Sequence, residues 1–322
     1  MRPALYRRPA PRLGQRVTDT QPLAERARAK VNLGLRILGK RADGFHELDS
    51  LVAFADIGDL ITLTPGALRH VTTSGPFAQA IAGENLAARA LAAVTAAHPD
   101  LHLGAISIDK QLPVAAGLGG GSADAAAVLR LVRRANPERS ASVDWPALAA
   151  SLGSDVPVCF ANAACRMTGR GEHLTPVAPM PALPAVLVNP CVPVPADKTR
   201  QVFARLAAPP LDLSHRIPDA THTPSLSPPP SSCGGDPDVE AYLAQHLRHV
   251  RNDLAAPAMA VIPAIADVLA ALQADPLPHV VLLSGAGPTC LALCVSMDDA
   301  VAVAERVAAK HRTWWVRAVR LG

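Results

Sequence analysis

No basic surplus remains in this chain once its first thirty residues are set aside. The 322 residues carry a net charge of +4. Residues 1–30 hold eight Arg or Lys against Asp19 and Glu25, or +6, which leaves about −2 for the remainder. A body of that charge lacks the electrostatic footprint of a nucleic-acid binder, and no nucleic acid is expected as a partner. Cysteine is scarce as well. The six residues Cys159, Cys165, Cys191, Cys233, Cys290 and Cys294 form no Cys-x-x-Cys pair and no histidine-partnered motif. No metal ligands are identified, and the mostly apolar neighbours predict reduced, buried thiols in a cytoplasmic protein.

An uninterrupted apolar run is missing too. Residues 280–297 carry no charge and are just long enough to raise the question of a membrane helix. Ser284-Gly-Ala-Gly-Pro-Thr289 breaks the run, which reads as strand, tight loop, strand, so no membrane partner is expected. The Pro/Arg-rich start has no apolar core of a secretory signal and few hydroxyl residues, unlike most organellar transit peptides. Residues 1–24 read as a disordered basic leader. No internal repeat is visible.

What is present is apolar bulk and one glycine cluster. With 49% hydrophobic and 18% charged residues the chain can bury a sizeable core, in one large or two medium domains. A β-type segment, Ile106 to Ile108, runs into Gly117, Gly119, Gly120 and Gly121, and these open into an alanine-rich helix starting near Ser122. Glycines let backbone approach a bulky ligand closely. The free N–H groups and positive dipole end of the helix point at the same place, which makes an anion site suited to phosphate. The bland alternative is a turn capped by Ser122. A Walker loop needs Lys-Ser or Lys-Thr after its last glycine, and Ser122-Ala123 stand here. A dinucleotide fingerprint needs a third glycine where Ser122 sits, so a Rossmann oxidoreductase fits poorly.

Alternation predicts a strand over Val31–Leu38, a turn over Arg41–His46 and a long strand over Leu51–Leu63. Asn85 is placed to cap a helix over Leu86–Ala97. A strand at 106–110, the helix Ser122–Arg134, a short helix Pro146–Leu152 and a buried strand Val186–Asn189 follow. Residues 209–238, dense in Pro, Ser and Gly, read as a disordered insertion. Helices are predicted over Val239–Leu254 and Pro257–Leu272, then strand, loop, strand (280–295), helix (298–309) and strand (314–319). Strands and helices mix without strict alternation, which predicts an α+β fold.

Five ordered segments share one explanation. They are Ala29-Lys-Val-Asn-Leu33, Arg41-Ala-Asp-Gly-Phe-His-Glu47, the glycine cluster, Leu152-Gly-Ser-Asp-Val-Pro157 and Leu283-Ser-Gly-Ala-Gly-Pro-Thr-Cys290. In this order and spacing, over roughly residues 25–319, the chain resembles the GHMP kinases, small-molecule kinases with a phosphate loop unrelated to Walker's. The run Gly39-Lys-Arg-Ala-Asp-Gly-Phe-His46 is most similar to the branch that phosphorylates the 2-hydroxyl of a cytidyl diphosphate sugar alcohol in the non-mevalonate route to isoprenoids.

The resemblance implies a two-domain GHMP fold, residues 25–175 and 176–322, with the active site in the cleft between them. It implies ATP with magnesium, a small cytidyl diphosphate acceptor, and a monomer or weak homodimer. Asp155 matches the catalytic aspartate, the base towards the acceptor hydroxyl, against a bland reading as a turn-capping residue. Lys30 matches the active-site lysine, which polarises the hydroxyl and offsets developing charge. Pro113, Val114, Ala115, Ala116, Gly117, Leu118, Gly119, Gly120, Gly121, Ser122 and Ala123 would wrap the triphosphate, with the Ser122 hydroxyl on phosphate or magnesium. Asn85 and Lys110 fall where the family contacts adenine, although a helix cap and a strand-end lysine explain them nearly as well.

Phe45 and His46 match a pair that holds cytosine. Asn32, on the Lys30 face of its strand, would hydrogen-bond the acceptor. Thr199 and Phe203 repeat a Thr-x-x-x-Phe spacing whose Phe closes the other side of the base, behind an apparent insertion at Asp197-Lys198. Arg28 stands where proline is frequent, Phe45 where tyrosine is commoner, and Pro288 where a small residue is usual. Another GHMP small-molecule kinase, or a non-catalytic ligand sensor on the same fold, remains an alternative. The second should have lost Lys30 or Asp155, and both are present.

Overall fold

The computed structural model describes residues 21–81, 83–177, 180–211 and 239–322. Most of the expected leader and of the 209–238 insertion lies outside the described residues. At both edges order reaches further than predicted. Leu23 and Ala24, placed in the leader from sequence, already pair with Leu63 and Thr62. Pro209 and Leu211 exchange backbone hydrogen bonds of 2.7 Å with Lys40.

The first part of the chain runs β1 (Leu23–Lys40), β2 (His46–Pro65), β3 (Val71–Ser74), α1 (Leu86–Ala97), β4 (Gly104–Asp109), α2 (Gly120–Ala135), α3 (Trp145–Leu152), α4 (Val156–Ala161), β5 (Cys165–Gly169) and β6 (His173–Pro176). The long antiparallel ribbon of β1 and β2 is its spine, and β2 also pairs with β4 and β5. The second part runs β7 (Leu183–Asn189), α5 (Lys198–Arg205), α6 (Val239–Tyr242), α7 (Ala255–Val261), α8 (Ala264–Gln273), β8 (Val280–Leu283), β9 (Cys290–Leu293), α9 (Met297–Lys310) and β10 (Trp315–Leu321). Here β10, β7, β9 and β8 follow one another across the sheet, all antiparallel. The two sheets meet where Leu321 of β10 pairs with Ala55 of β2.

Period-2 alternation in β1 fixes what faces the cleft. Ala29, Val31 and Leu33 are fully buried in an apolar cluster with Leu51, Ala53, Leu183, Leu187 and Leu321. Lys30 and Asn32 therefore project from the opposite face. The alanines of α2 (Ala123, Ala125, Ala126, Ala127) are buried against the first sheet and α1, and their small side chains let the helix lie close to the strands.

The predicted helix over Val239–Leu254 is broken. After α6 comes a π-helical turn, Leu243–Leu247, and then an irregular segment in which Asn252 bridges to Leu35 of β1. Asn252 explains the break: its Nδ2 donates to the Leu283 and Gly285 carbonyls at 2.8 and 2.7 Å, and its Oδ1 accepts from the Leu254 N–H at 2.9 Å. The second predicted helix splits into α7 and α8 at Pro263, which has no N–H to continue the ladder. Strands β3, β5 and β6 and helices α4 and α5 have no predicted counterpart with boundaries. They are four to eight residues long, too short for a clear period. Of the cysteines, Cys159, Cys165, Cys290 and Cys294 are buried thiols, but Cys191 is exposed, against expectation, and Cys233 lies outside the described residues. Among the described residues no helix is long and apolar enough to cross a membrane.

Candidate functional site

Lys30 and Asp155 are 125 residues apart in sequence, and their side chains meet with Nζ and Oδ2 at 3.0 Å. Lys30 is 5% exposed, so its ammonium is largely removed from water, while the aspartate is about a third exposed towards the cleft. Asp155 occupies the position before α4 where an aspartate ordinarily caps the helix, yet its side chain makes no capping bond. The carboxylate is given to Lys30 instead, which tells against the turn-capping reading.

The glycine loop lies directly on this pair. The Lys30 N–H donates to the Leu118 carbonyl at 2.9 Å. Gly119, at φ +63°, is the residue before α2, and a Cβ there would sit 3.2 Å from the Lys30 Cβ. Gly117, at φ +80°, is squeezed between the Gly287 and Ser284 carbonyls, each 2.7 Å from where a Cβ would be. Ala115, also at positive φ (+55°), completes a loop whose backbone no regular element could follow. Helix α2 starts at Gly120, two residues earlier than predicted, so Ser122 is in its first turn and does not cap it. The first α2-type bond is Ala123 N–H to the Gly119 carbonyl at 2.8 Å, and the N–H groups before it are left for a ligand. Pro113, Val114, Ala116 and Ala123 belong to the same continuous loop and first turn.

A second glycine-rich loop, 284–289, closes the opposite wall. Ser284 Oγ donates to the Gly117 carbonyl at 3.0 Å and accepts from the Asn32 N–H at 3.2 Å. Asn32 Nδ2 donates to Ser50 Oγ at 2.7 Å, but its buried Oδ1 has no partner among the described residues. An acceptor held in place and left unmet at the cleft suits a ligand hydroxyl. Lys198 also enters here. It is 6% exposed, and its ammonium donates to the Ala115 carbonyl at 2.8 Å and to the Gly287 carbonyl, tying the two loops together. Burial pushes its pKa down to about 8.

Lys30, Asn32, Gly117, Gly119, Asp155, Lys198 and Thr199 line one cavity, of about 200 Å³. A larger one of about 630 Å³ adjoins it, lined by Phe45, His46, Thr199 and Phe203. Phe45 is held on its turn by the Phe45 N–H donating to Asp43 Oδ1 at 3.1 Å and stays 56% exposed. The His46 and Phe203 rings are 4.9 Å apart. Burial, then the Lys40 charge, lowers the His46 pKa, which favours the neutral imidazole. Thr199 and Phe203 share one face of α5, one turn apart, as their spacing predicts.

Asn85 and Lys110 are committed within the protein. Asn85 Oδ1 caps α1 through the Ala87 N–H at 2.9 Å. The Lys110 ammonium is buried between Asp59 and, at 2.7 Å, Asp124, beneath the glycine loop. Asp59 Oδ1 in turn accepts from the Gln111 and Leu112 N–H groups, which anchors the start of the loop. Burial, with Asp59 competing for the one ammonium, raises the Asp124 pKa. Sequence reasoning passed over Asp59 and Asp124, though an aspartate inside the run Ala123-Asp-Ala-Ala-Ala127 was a visible signal of a buried partner. It also passed over Ser284 and Lys198, whose partners lie far away in sequence.

The model of the GHMP kinases N terminal domain matches residues 85–163, and that of the GHMP kinases C terminal domain matches 239–313. The chain is 47% identical over 305 residues to 4-diphosphocytidyl-2-C-methyl-D-erythritol kinase of Bradyrhizobium sp. strain BTAi1, covering 92% of this chain and 96% of that one. It is 45% identical to the enzyme of the same name from Rhodopseudomonas palustris strain HaA2, over 93% and 98% of the two chains. The crystal structure of a 4-(cytidine 5'-diphospho)-2C-methyl-D-erythritol kinase superposes with a TM-score of 0.69 at 31% identity, over 93% of this chain and 99% of that one. Homoserine kinase from Cytophaga hutchinsonii, 15% identical with a TM-score of 0.59 over 96% and 98%, shares the fold.

Proposed function

The chain belongs to the GHMP kinase family, and from that membership we propose that it phosphorylates the 2-hydroxyl of 4-diphosphocytidyl-2-C-methyl-D-erythritol with ATP as donor, a step of the non-mevalonate isoprenoid pathway. One observation carries the chemistry: the Lys30–Asp155 pair, at 3.0 Å, sits between the glycine loop and the aromatic pocket. Phosphoryl transfer is mostly positioning and charge stabilisation, with one group to orient and deprotonate the attacking oxygen. Asp155 takes the hydroxyl proton, and Lys30 holds the carboxylate in place and faces the charge that develops on the transferred group. Asn32 Oδ1 orients the polyol, and the first turn of α2 receives the phosphates. Phe45, His46 and Phe203 hold the cytosine by stacking and hydrogen bonds.

No group of three His, Cys, Asp or Glu among the described residues is placed to hold a metal ion. Magnesium, the ion expected with ATP, keeps several waters and takes phosphate oxygens among its ligands, so it needs few from the protein. The Ser122 hydroxyl, in the first turn of α2, would be the chain's own ligand, and the ion supplies charge neutralisation at the triphosphate.

The test is ADP release from ATP and magnesium with a panel of alcohols. The cytidyl diphosphate should be the preferred acceptor, and homoserine or mevalonate should give little ADP. Asp155→Asn should lower kcat by roughly 10²-fold or more with a small change in KM, as for a lost base. Near-full turnover in that variant would remove Asp155 from the chemistry, and preference for another alcohol would overturn the acceptor.

A further inference from the structure

The two cavities of the site share a boundary, and one charged side chain stands on it. Leu48, Ser154, Arg170, Thr199 and Phe203 line both. Lys40 and Arg200 reach only the aromatic cavity, and Lys30 and Lys198 only the catalytic one. An acceptor whose base lies among Phe45, His46 and Phe203 and whose hydroxyl reaches Asp155 must carry its diphosphate across that boundary. Arg170 is the cation it meets there.

Arg170 is the tip of the β5–β6 hairpin, flanked by Gly169 and Gly171, both at positive φ. Its guanidinium lies over the Phe45 ring, 4.9 Å from the centroid, and approaches Glu172 at 3.6 Å. Both contacts are at the surface, where ion pairs contribute little, so the planar head is free to exchange them for a better partner. A guanidinium matches phosphate oxygens through two parallel N–H bonds, which an ammonium cannot do.

We propose that Arg170 is a specificity-determining residue that binds the diphosphate of the acceptor, so that the enzyme distinguishes a cytidyl diphosphate from cytidine. The proposal rests on the cytidyl diphosphate reading above. Its placement beside Phe45 puts the diphosphate contact next to the ring that faces the base.

The test is calorimetric titration of the full chain with cytidine and with CDP, the ATP site filled by a non-hydrolysable ATP analogue. Wild type should bind CDP about 10-fold or more tighter than cytidine, the scale of charge-assisted hydrogen bonds. Arg170→Gln should abolish that difference and leave cytidine affinity unchanged, and Arg170→Lys should restore part of it. In turnover, Arg170→Gln should raise the acceptor KM and leave the ATP KM alone. Undiminished preference for CDP in Arg170→Gln would overturn the inference while leaving the cytosine pocket intact. So would equal losses for cytidine and CDP, which would make Arg170 a prop for Phe45. Failure of wild type to bind either ligand would overturn the acceptor reading itself, and this inference with it.

Discussion

Lys198 shows how a single residue can be costly to the fold and useful to the site. Its ammonium is buried, makes two bonds to backbone carbonyls and, among the described residues, has no carboxylate within hydrogen-bond reach. Burial lowers its pKa from the ordinary 10.5 to about 8. Between those values the unfolded chain holds a proton that the folded chain has released, so wild-type stability rises with pH across this window and the penalty is fully felt below pH 8. Lys198→Met removes that dependence. The difference in unfolding free energy between wild type and variant should therefore move towards wild type by about 3 kcal/mol at most on going from pH 7.5 to 10.5. Urea denaturation at the two values measures it, and a difference that does not change with pH would mean that the amine is not depressed. Lys110 is the opposite case. Two carboxylates enclose its head, its pKa is raised by them against burial, and its role is to hold up the loop.

At the scale of elements, the glycine loop and α2 act as one unit whose residues serve different ends. Gly117 is required by its conformation and by the carbonyls packed against it. Gly121 is different: a Cβ there would meet nothing within 4 Å, and its φ is not in the left-handed region. For the helix alone, alanine would be better at this position by up to about 1 kcal/mol. The proposed function puts the phosphates in this free space. Gly121→Ala should leave the ligand-free protein as stable or slightly more stable, and should raise the KM for ATP by about 10-fold or more as the methyl group displaces the triphosphate. An unchanged ATP KM, measured with thermal melting as a control, would place the nucleotide elsewhere.

Across the whole molecule, the two sheets are joined at a seam between β10 and β2. Leu321 pairs with Ala55, and the Phe54 and Gly322 backbones exchange hydrogen bonds of 3.2 and 3.0 Å. Arg28 reinforces the seam through the Phe54 carbonyl at 2.7 Å, the Ala55 carbonyl at 3.0 Å and the Gly322 carbonyl at 3.2 Å. That is the structural content of an arginine where the family often has proline. Leu321 is fully buried in the apolar cluster that both sheets share. Leu321→Ala should cost about 2–4 kcal/mol in urea unfolding, the usual range for a buried leucine. A loss below about 1 kcal/mol would mean the seam carries little of the fold's stability.

The sequence by itself determined what depends on neighbours along the chain. The alternation of Ala29, Val31 and Leu33 with Lys30 and Asn32, the Asn85 cap, the glycine cluster before an alanine-rich helix, and the spacing of Thr199 and Phe203 are all local patterns, and each was legible. The motif order also carried the family, because five segments had to agree. Only the tertiary structure decided which of several local meanings a polar residue takes. Asp155 can cap a helix or meet a lysine 125 positions away, and α2, packed against both β1 and α4, brings the lysine within reach. Lys110 reads as a strand-end lysine until Asp59 and Asp124 arrive from two other elements. Asn252 breaks a helix that its neighbours would continue, because the carbonyls of Leu283 and Gly285 lie within reach of its amide. Arg170 had no local signal at all. Its meaning comes from lying on the boundary of two cavities, and such a boundary is made by strands and helices distant in sequence and settled by packing alone.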